Sequence, residues 1–191
     1  MTTLKRTDRS RALILDAADQ AFRALGFANT SMEEIAVRAG LTRKTLYNLF
    51  SSKDEIALTL IARVEAGDAG YRARIAANDD ALPLLVAVLL DSAGWCLANP
   101  SLARLALSPP ERPSTTPPDR PSFQGLVRDI LLHGQQQGVI RRDEDAEFMA
   151  LLLLGIYGQA MLTALSTARF SDGEIRRIVR LVLEGIGARA D

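Results

Sequence analysis

Along most of this 191-residue chain apolar residues return every three or four positions, and strict alternation is scarce, so helices rather than strands carry the pattern. The spacing predicts nine helices, at about 10–25, 31–39, 42–50, 52–77, 80–98, 100–107, 122–137, 143–168 and from 172 onward. In the first, Ile14, Ala17, Ala18, Ala21, Phe22 and Leu25 form the inward stripe, Gly26 is the stop, and Phe27 folds back onto the core. The fourth continues through Ala57, Leu60, Ile61 and Val64. Phe123, Leu126, Val127, Ile130 and Leu131 face inward before Gly138. Ile175, Ile178, Val179, Val182 and Ile186 make the last stripe. From Pro109 to Pro121 stand six of the eight prolines, a density that no helix or core strand survives, so a surface loop is expected there.

The densest set of local signals lies between Thr30 and Phe50, TSMEEIAVRAGLTRKTLYNLF. Ser31 is placed to cap a short helix, with Glu34 three residues on to complete a capping box. Met32, Ile35, Ala36 and Ala39 share one face. Gly40 then supplies the left-handed corner that a side chain resists. Thr42 caps a second helix, which buries Leu46 and Phe50 at i, i+4 spacing. A small residue, a turn glycine and an apolar plug at this spacing are what a helix-turn-helix requires. The face left over carries Arg43, Lys44, Thr45, Tyr47 and Asn48, a set suited to nucleic acid.

Charge supports that placement. The formal net charge is zero, but residues 1–63 hold ten Lys/Arg against seven Asp/Glu, and the remainder is acidic by the same margin. A polyanion is therefore the expected partner of the N-terminal part alone. Lys5, Arg6, Arg9 and Arg11 make either a basic arm for DNA or a solvated tail. Ser52 caps the fourth helix, with Asp54 and Glu55 in its first turn. Lys53 beside them reads as a phosphate contact or an ordinary surface lysine. Cys96 is the single cysteine, which excludes an intrachain disulfide and suits a reducing cytoplasm. Residues 1–12 lack an apolar run, so no signal peptide is expected.

The stretch from Ile14 to Ile56, with its ILDAADQAFRALG, TSMEEIAVRAG, LTRKTLYNLF and SSKDEI runs, resembles the tetracycline-repressor (TetR) family of bacterial transcriptional regulators. Lys44 and Leu49 depart from the family's usual residues, which bears on the sequence read. The resemblance implies an all-α protein with an N-terminal helix-turn-helix domain over residues 1–53 and a helical ligand-binding and dimerisation domain over 54–191. It also implies that the last two helices pair with those of a second subunit, and that a pocket lies among the middle helices. Trp95, Phe123, His133, Tyr157 and Met161 are candidates for its lining, and core packing explains each equally well. On this reading the protein is a homodimeric repressor of a palindromic DNA operator, released by a small-molecule effector. Arg43 and Lys44 would read guanine, Asn48 adenine and Thr45 a thymine methyl, with Thr42, Tyr47 and Lys53 on phosphates.

Other chemistry is poorly supplied. His133 is the single histidine, so with Cys96 it cannot assemble a usual zinc site. There is no Walker loop, dinucleotide fingerprint or nucleophile elbow, and neither enzymatic activity nor a cofactor or metal is expected. The acidic run Asp143–Glu147 reads as helix-cap chemistry. Phe148 to Ala168 is free of charge and long enough to span a membrane. Its polar residues and missing basic flanks instead suggest a helix buried between a core and a second subunit, with Gly155, Gly158 and Ala160 allowing close approach. The rival function is a helical protein-interaction adaptor that does not bind DNA. A salt-dependent affinity for duplex DNA separates the two.

Overall fold

Helices form where those spacings place them. The computed structural model describes residues 6–65, 69–107, 122–167 and 171–186, and these contain helix and no strand. In order the helices are α1 (Arg6–Leu25), α2 (Met32–Arg38), α3 (Arg43–Leu49), α4 (Lys53–Glu65), α5 (Ala69–Ala76), α6 (Ala81–Ala98), α7 (Pro100–Leu107), α8 (Phe123–Gln137), α9 (Ala146–Thr167) and α10 (Asp172–Ile186). The helix expected over 52–77 corresponds to α4 and α5, on either side of residues 66–68. Those three residues, Lys5 of the expected basic arm, the proline-rich segment and Ala168 lie outside the described residues, as do the side chains of Ile175, Val179 and Ile186 in the last stripe.

By contact the chain divides into two units. The first comprises residues 1–63 and 99–106, the second 64–98 and 107–191. The boundary expected at 53/54 thus falls inside the first unit. The reason is burial: Ile56, Ala57 and Leu60 of α4 are in the core, as are Leu102 and Ala103 of α7, a helix from the middle of the chain. Ile14, Ala17, Ala18, Ala21 and Phe22 of α1 are buried as the stripe predicts, but Leu25, at its end, is 40% exposed.

In the second unit α8 packs against α5, α6 and α9, and α10 against α6 and α9. Leu84, Leu85, Leu89, Leu126, Ile130, Leu131 and Leu153 are fully buried, each contributing about 1.5–3 kcal/mol by leaving water. Gly138 closes α8 at φ 75°. Gly134 is required for another reason: a Cβ there would lie 2.6 Å from Ile140 Cγ1 and 3.3 Å from Ala81 Cβ, so the chain beyond α8 and the start of α6 close on bare backbone. Burial pushes the Cys96 thiol up to about 11, and it raises the Tyr157 hydroxyl as well. Both stay protonated at neutral pH.

Among the described residues two helices, α6 and α9, are long and apolar enough to cross a membrane by length and composition. Each buries one face in the second unit, α6 through Leu84, Leu85, Val88, Leu89 and Cys96, α9 through Met149, Ala150, Leu153, Tyr157 and Met161. The opposite face of α9 is apolar and, among the described residues, uncovered. Phe148 (51% exposed), Leu151, Leu152 and Ile156 (51%) stand on it together.

Candidate nucleic-acid interface

Local chemistry holds α2 and α3 in place. Ser31 Oγ accepts from Glu34 N at 3.1 Å, and Thr42 Oγ1 accepts from Thr45 N at 3.2 Å, so in each helix one free first-turn amide is satisfied by the helix's own cap. The Glu34 carboxylate does not complete the expected box; it turns along the helix to Arg38 Nε at 2.6 Å. Gly40 (φ 64°) makes the corner. Its N–H donates to Val37 O, and Leu41 N–H donates to Ala36 O at 3.0 Å, satisfying carbonyls at the end of α2. Leu46 is completely buried and Phe50 is 1% exposed, and the two orient α3.

With that face buried, the opposite one is fixed outward. Thr42, Arg43, Lys44, Tyr47 and Asn48 are exposed and Thr45 is half-buried. Thr45 Oγ1 and Thr42 Oγ1 share a hydrogen bond of 2.9 Å. Arg43 Nη2 lies 2.9 Å from Glu33 Oε1, and its guanidinium sits 5.4 Å from the centre of the Tyr47 ring. The first turn of α3 carries two cations and no acidic residue. That arrangement opposes the helix dipole and favours an anionic partner.

Two cations expected to reach outward are instead turned onto the unit itself. Arg11 Nη1 donates to Leu49 O at 3.1 Å, and its guanidinium lies 4.3 Å over the Phe50 ring, so it satisfies a carbonyl at the C-terminal end of α3. Lys53 Nζ donates to Phe27 O at 2.6 Å and lies 3.4 Å from Ala28 O, with the Phe27 ring 4.4 Å away. It ties α4 to the turn after α1, where Thr30 Oγ1 donates to Gly26 O at 2.8 Å. Beside Lys53, Ser52 Oγ accepts from Glu55 N at 3.1 Å. Glu55 Oε2 takes both Ser51 N and Ser51 Oγ at 2.7 Å. The backbone and hydroxyl hydrogen bonds from Ser51 hold the Glu55 carboxyl below its usual range. Because the folded value is the lower one, this capping is present above the ordinary glutamate pKa and fades as pH falls through the folded value.

The five aromatic, histidine and methionine candidates for a pocket lie in the second unit in different settings. Met161 and Tyr157 are core residues; Tyr157 Oη donates to Leu89 O at 3.2 Å, and its ring is 6.5 Å from that of Phe123. Trp95 and Phe123 are half-buried. His133 serves the fold: Nε2 is 2.8 Å from Asp79 O and Gln137 Nε2 is 3.1 Å from the same oxygen. Gln137 Oε1 accepts from Ala81 N at 3.0 Å, which fixes the amide so that its nitrogen faces the histidine. Gln137 Nε2 also lies 2.9 Å from His133 Nε2, so both side chains converge on Asp79 O. They brace the turn between α5 and α6, where Asn78 takes φ 63°.

The comparisons follow the same division. Residues 14–60 match the pattern of bacterial regulatory proteins of the tetR family. The chain is 37% identical over 59 residues to the HTH-type transcriptional regulator TtgR of Pseudomonas putida, covering 31% of this chain and 28% of that protein. The match therefore spans less than a third of that relative's length. Over nearly the whole chain the structure is similar to that of Thermus thermophilus FadR, a TetR-family transcriptional repressor solved with lauroyl-CoA. The TM-score is 0.74 at 26% identity, over 95% of this chain and 97% of that one. Bacillus subtilis FadR, solved with stearoyl-CoA, shares the fold at 18% identity, with a TM-score of 0.71 over 92% and 98% of the two chains.

Proposed function

We propose that the chain is a regulator of the tetR family, whose pattern residues 14–60 match, and that it is a transcriptional repressor that binds a palindromic operator as a homodimer and leaves it when a small molecule binds. The observation that carries this reading is the outward face of α3, where Arg43, Lys44 and Asn48 stand exposed on a helix locked from behind by Leu46 and Phe50. Arg43 and Lys44 donate to guanine O6 and N7, Asn48 pairs with adenine, and Thr45 packs on a thymine methyl. Thr42 and Tyr47 hold phosphates. Lys53 reaches a phosphate with the ammonium N–H left over from Phe27 O and Ala28 O, so it sets register while it ties down the turn.

One reading helix buries too little surface for tight specific binding, so two copies act together, about 34 Å apart or a whole-turn multiple of it. The uncovered apolar face of α9 supports a second copy as its cover. Duplexes selected from the source genome by the purified protein should share an inverted repeat, and affinity should fall steeply and log-linearly with salt. Arg43→Ala should cost about 1–3 kcal/mol and relax preference at one base pair of each half-site. A salt-independent or absent interaction with duplex DNA would favour the adaptor reading.

The effector occupies the second unit, with Trp95, Phe123, Tyr157 and Met161 around it and His133 bracing the α5–α6 turn beside it. We put first a ligand with a long apolar chain and a polar head, because the T. thermophilus relative was solved with an acyl-CoA and the candidate lining is largely apolar. Lauroyl-CoA should then lower operator affinity by about 5- to 150-fold, the range of ordinary allosteric coupling, whereas coenzyme A alone should not. Release by neither would remove acyl thioesters from consideration. Such a regulator works in the cytoplasm, where its operator is.

A further inference from the structure

Glu33 is an acidic residue beside the proposed DNA-binding surface, and an acid there is costly, since every phosphate repels it. We infer that it is a positioning residue that presets Arg43 for base reading, an inference that rests on the DNA-binding function proposed above. Three observations carry it. First, Arg43 begins a helix whose first turn has two cations and no acid, so without a counter-charge its side chain is pushed from the helix end. Second, Glu33 Oε1 meets Arg43 Nη2 at 2.9 Å, while the neighbouring Glu34 is taken by Arg38 at 2.6 Å. The α2 carboxylates are thereby divided, one to each arginine. Third, the Arg43 guanidinium faces the Tyr47 ring one turn along the same helix, at 5.4 Å. A flexible side chain is thus held by a carboxylate at one nitrogen and an aromatic ring on its face. Among the described residues its other N–H groups stay free, on a side chain that is 67% exposed.

The pair is too exposed to serve stability, because water and salt screen its attraction. Its effect is on recognition. A guanidinium already held loses less freedom on docking to guanine O6 and N7. The same carboxylate makes indiscriminate phosphate contact less favourable. Glu33 therefore strengthens specific binding and weakens non-specific binding, whereas a merely repelling charge weakens both.

The test uses the full-length protein with an operator it has selected from random duplexes, the operator's single-base variants, and a scrambled duplex of equal length. Glu33→Ala should bind the scrambled duplex more tightly and lose about fivefold or more of its preference at the base pair read by Arg43. Glu33→Gln removes the charge but keeps an oxygen acceptor; it should gain the same non-specific affinity and retain most of the preference. In an Arg43→Ala background, Glu33→Ala should leave base preference unchanged, because the effect passes through Arg43. If Glu33→Ala tightens operator and scrambled duplex by one common factor with preferences intact, the presetting role is overturned while DNA binding stands. If the parent protein binds no duplex in a salt-dependent way, the functional reading falls and this inference falls with it.

Discussion

Ile156→Arg is expected to convert the proposed homodimer to monomers and to remove its proposed operator binding at concentrations where the parent is saturated. Ile156 stands in the middle of the uncovered face of α9, between Leu152 and Gln159, and is 51% exposed in the single chain. Within its own subunit an arginine there reaches water, so the helix and the core behind it, Leu153 and Tyr157, should survive. In a two-fold interface the same substitution appears on both sides. A charge left unpaired inside an interface costs about 3–5 kcal/mol. Sedimentation or light scattering should report half the parent mass with an unchanged helical circular dichroism signal. A variant that keeps a dimer mass would place the dimer contact elsewhere, and a parent with the mass of one chain would overturn the proposed homodimer.

The second large effect is expected from Phe50→Ala. Phe50 is 1% exposed, and its N–H donates to Leu46 O at 2.9 Å at the end of α3. Its ring underlies the Arg11 guanidinium. Truncation opens a cavity, removes a cation–π contact and loosens the seat of α3. A loss of about 3–5 kcal/mol is typical of Phe→Ala in a core. The chain has two units, so a single unfolding free energy is ill-defined. Amide hydrogen exchange separates them: protection should fall through α1, α2 and α3 and persist in α8 and α9. DNA binding should be lost with it, and Phe50→Leu should restore most of both. Equal loss of protection in both units would show that they unfold as one.

What could be read from the sequence was local. Ser31, Thr42 and Ser52 cap their helices from within three residues, and Gly26, Gly40 and Gly138 each take positive φ at a helix end. Residue type and neighbours decide such features, so a one-dimensional pattern contains them. The outward face of α3 was legible for the same reason, as the complement of Leu46 and Phe50. What escaped depends on distant chain. Arg11 finds Leu49 O across 38 residues, Lys53 finds Phe27 O across 26, and His133 finds Asp79 O across 54. In each case a long polar side chain meets a carbonyl stranded at a turn or helix end. No periodicity foretells that meeting, because its partner is backbone. The Glu33–Arg43 pair was missed because the stretch between them includes a corner whose angle sets the distance.

Since α7 belongs to the first unit, the backbone passes from one unit to the other at three places, 63/64, 98/99 and 106/107. Grafting this reading head onto another sensor would therefore need three splices, and an excised 1–63 peptide would lack the residues that bring Leu102 and Ala103 into its core. For engineers the separable module is a discontinuous one, and truncation libraries cut at a single point should yield insoluble or poorly folded fragments.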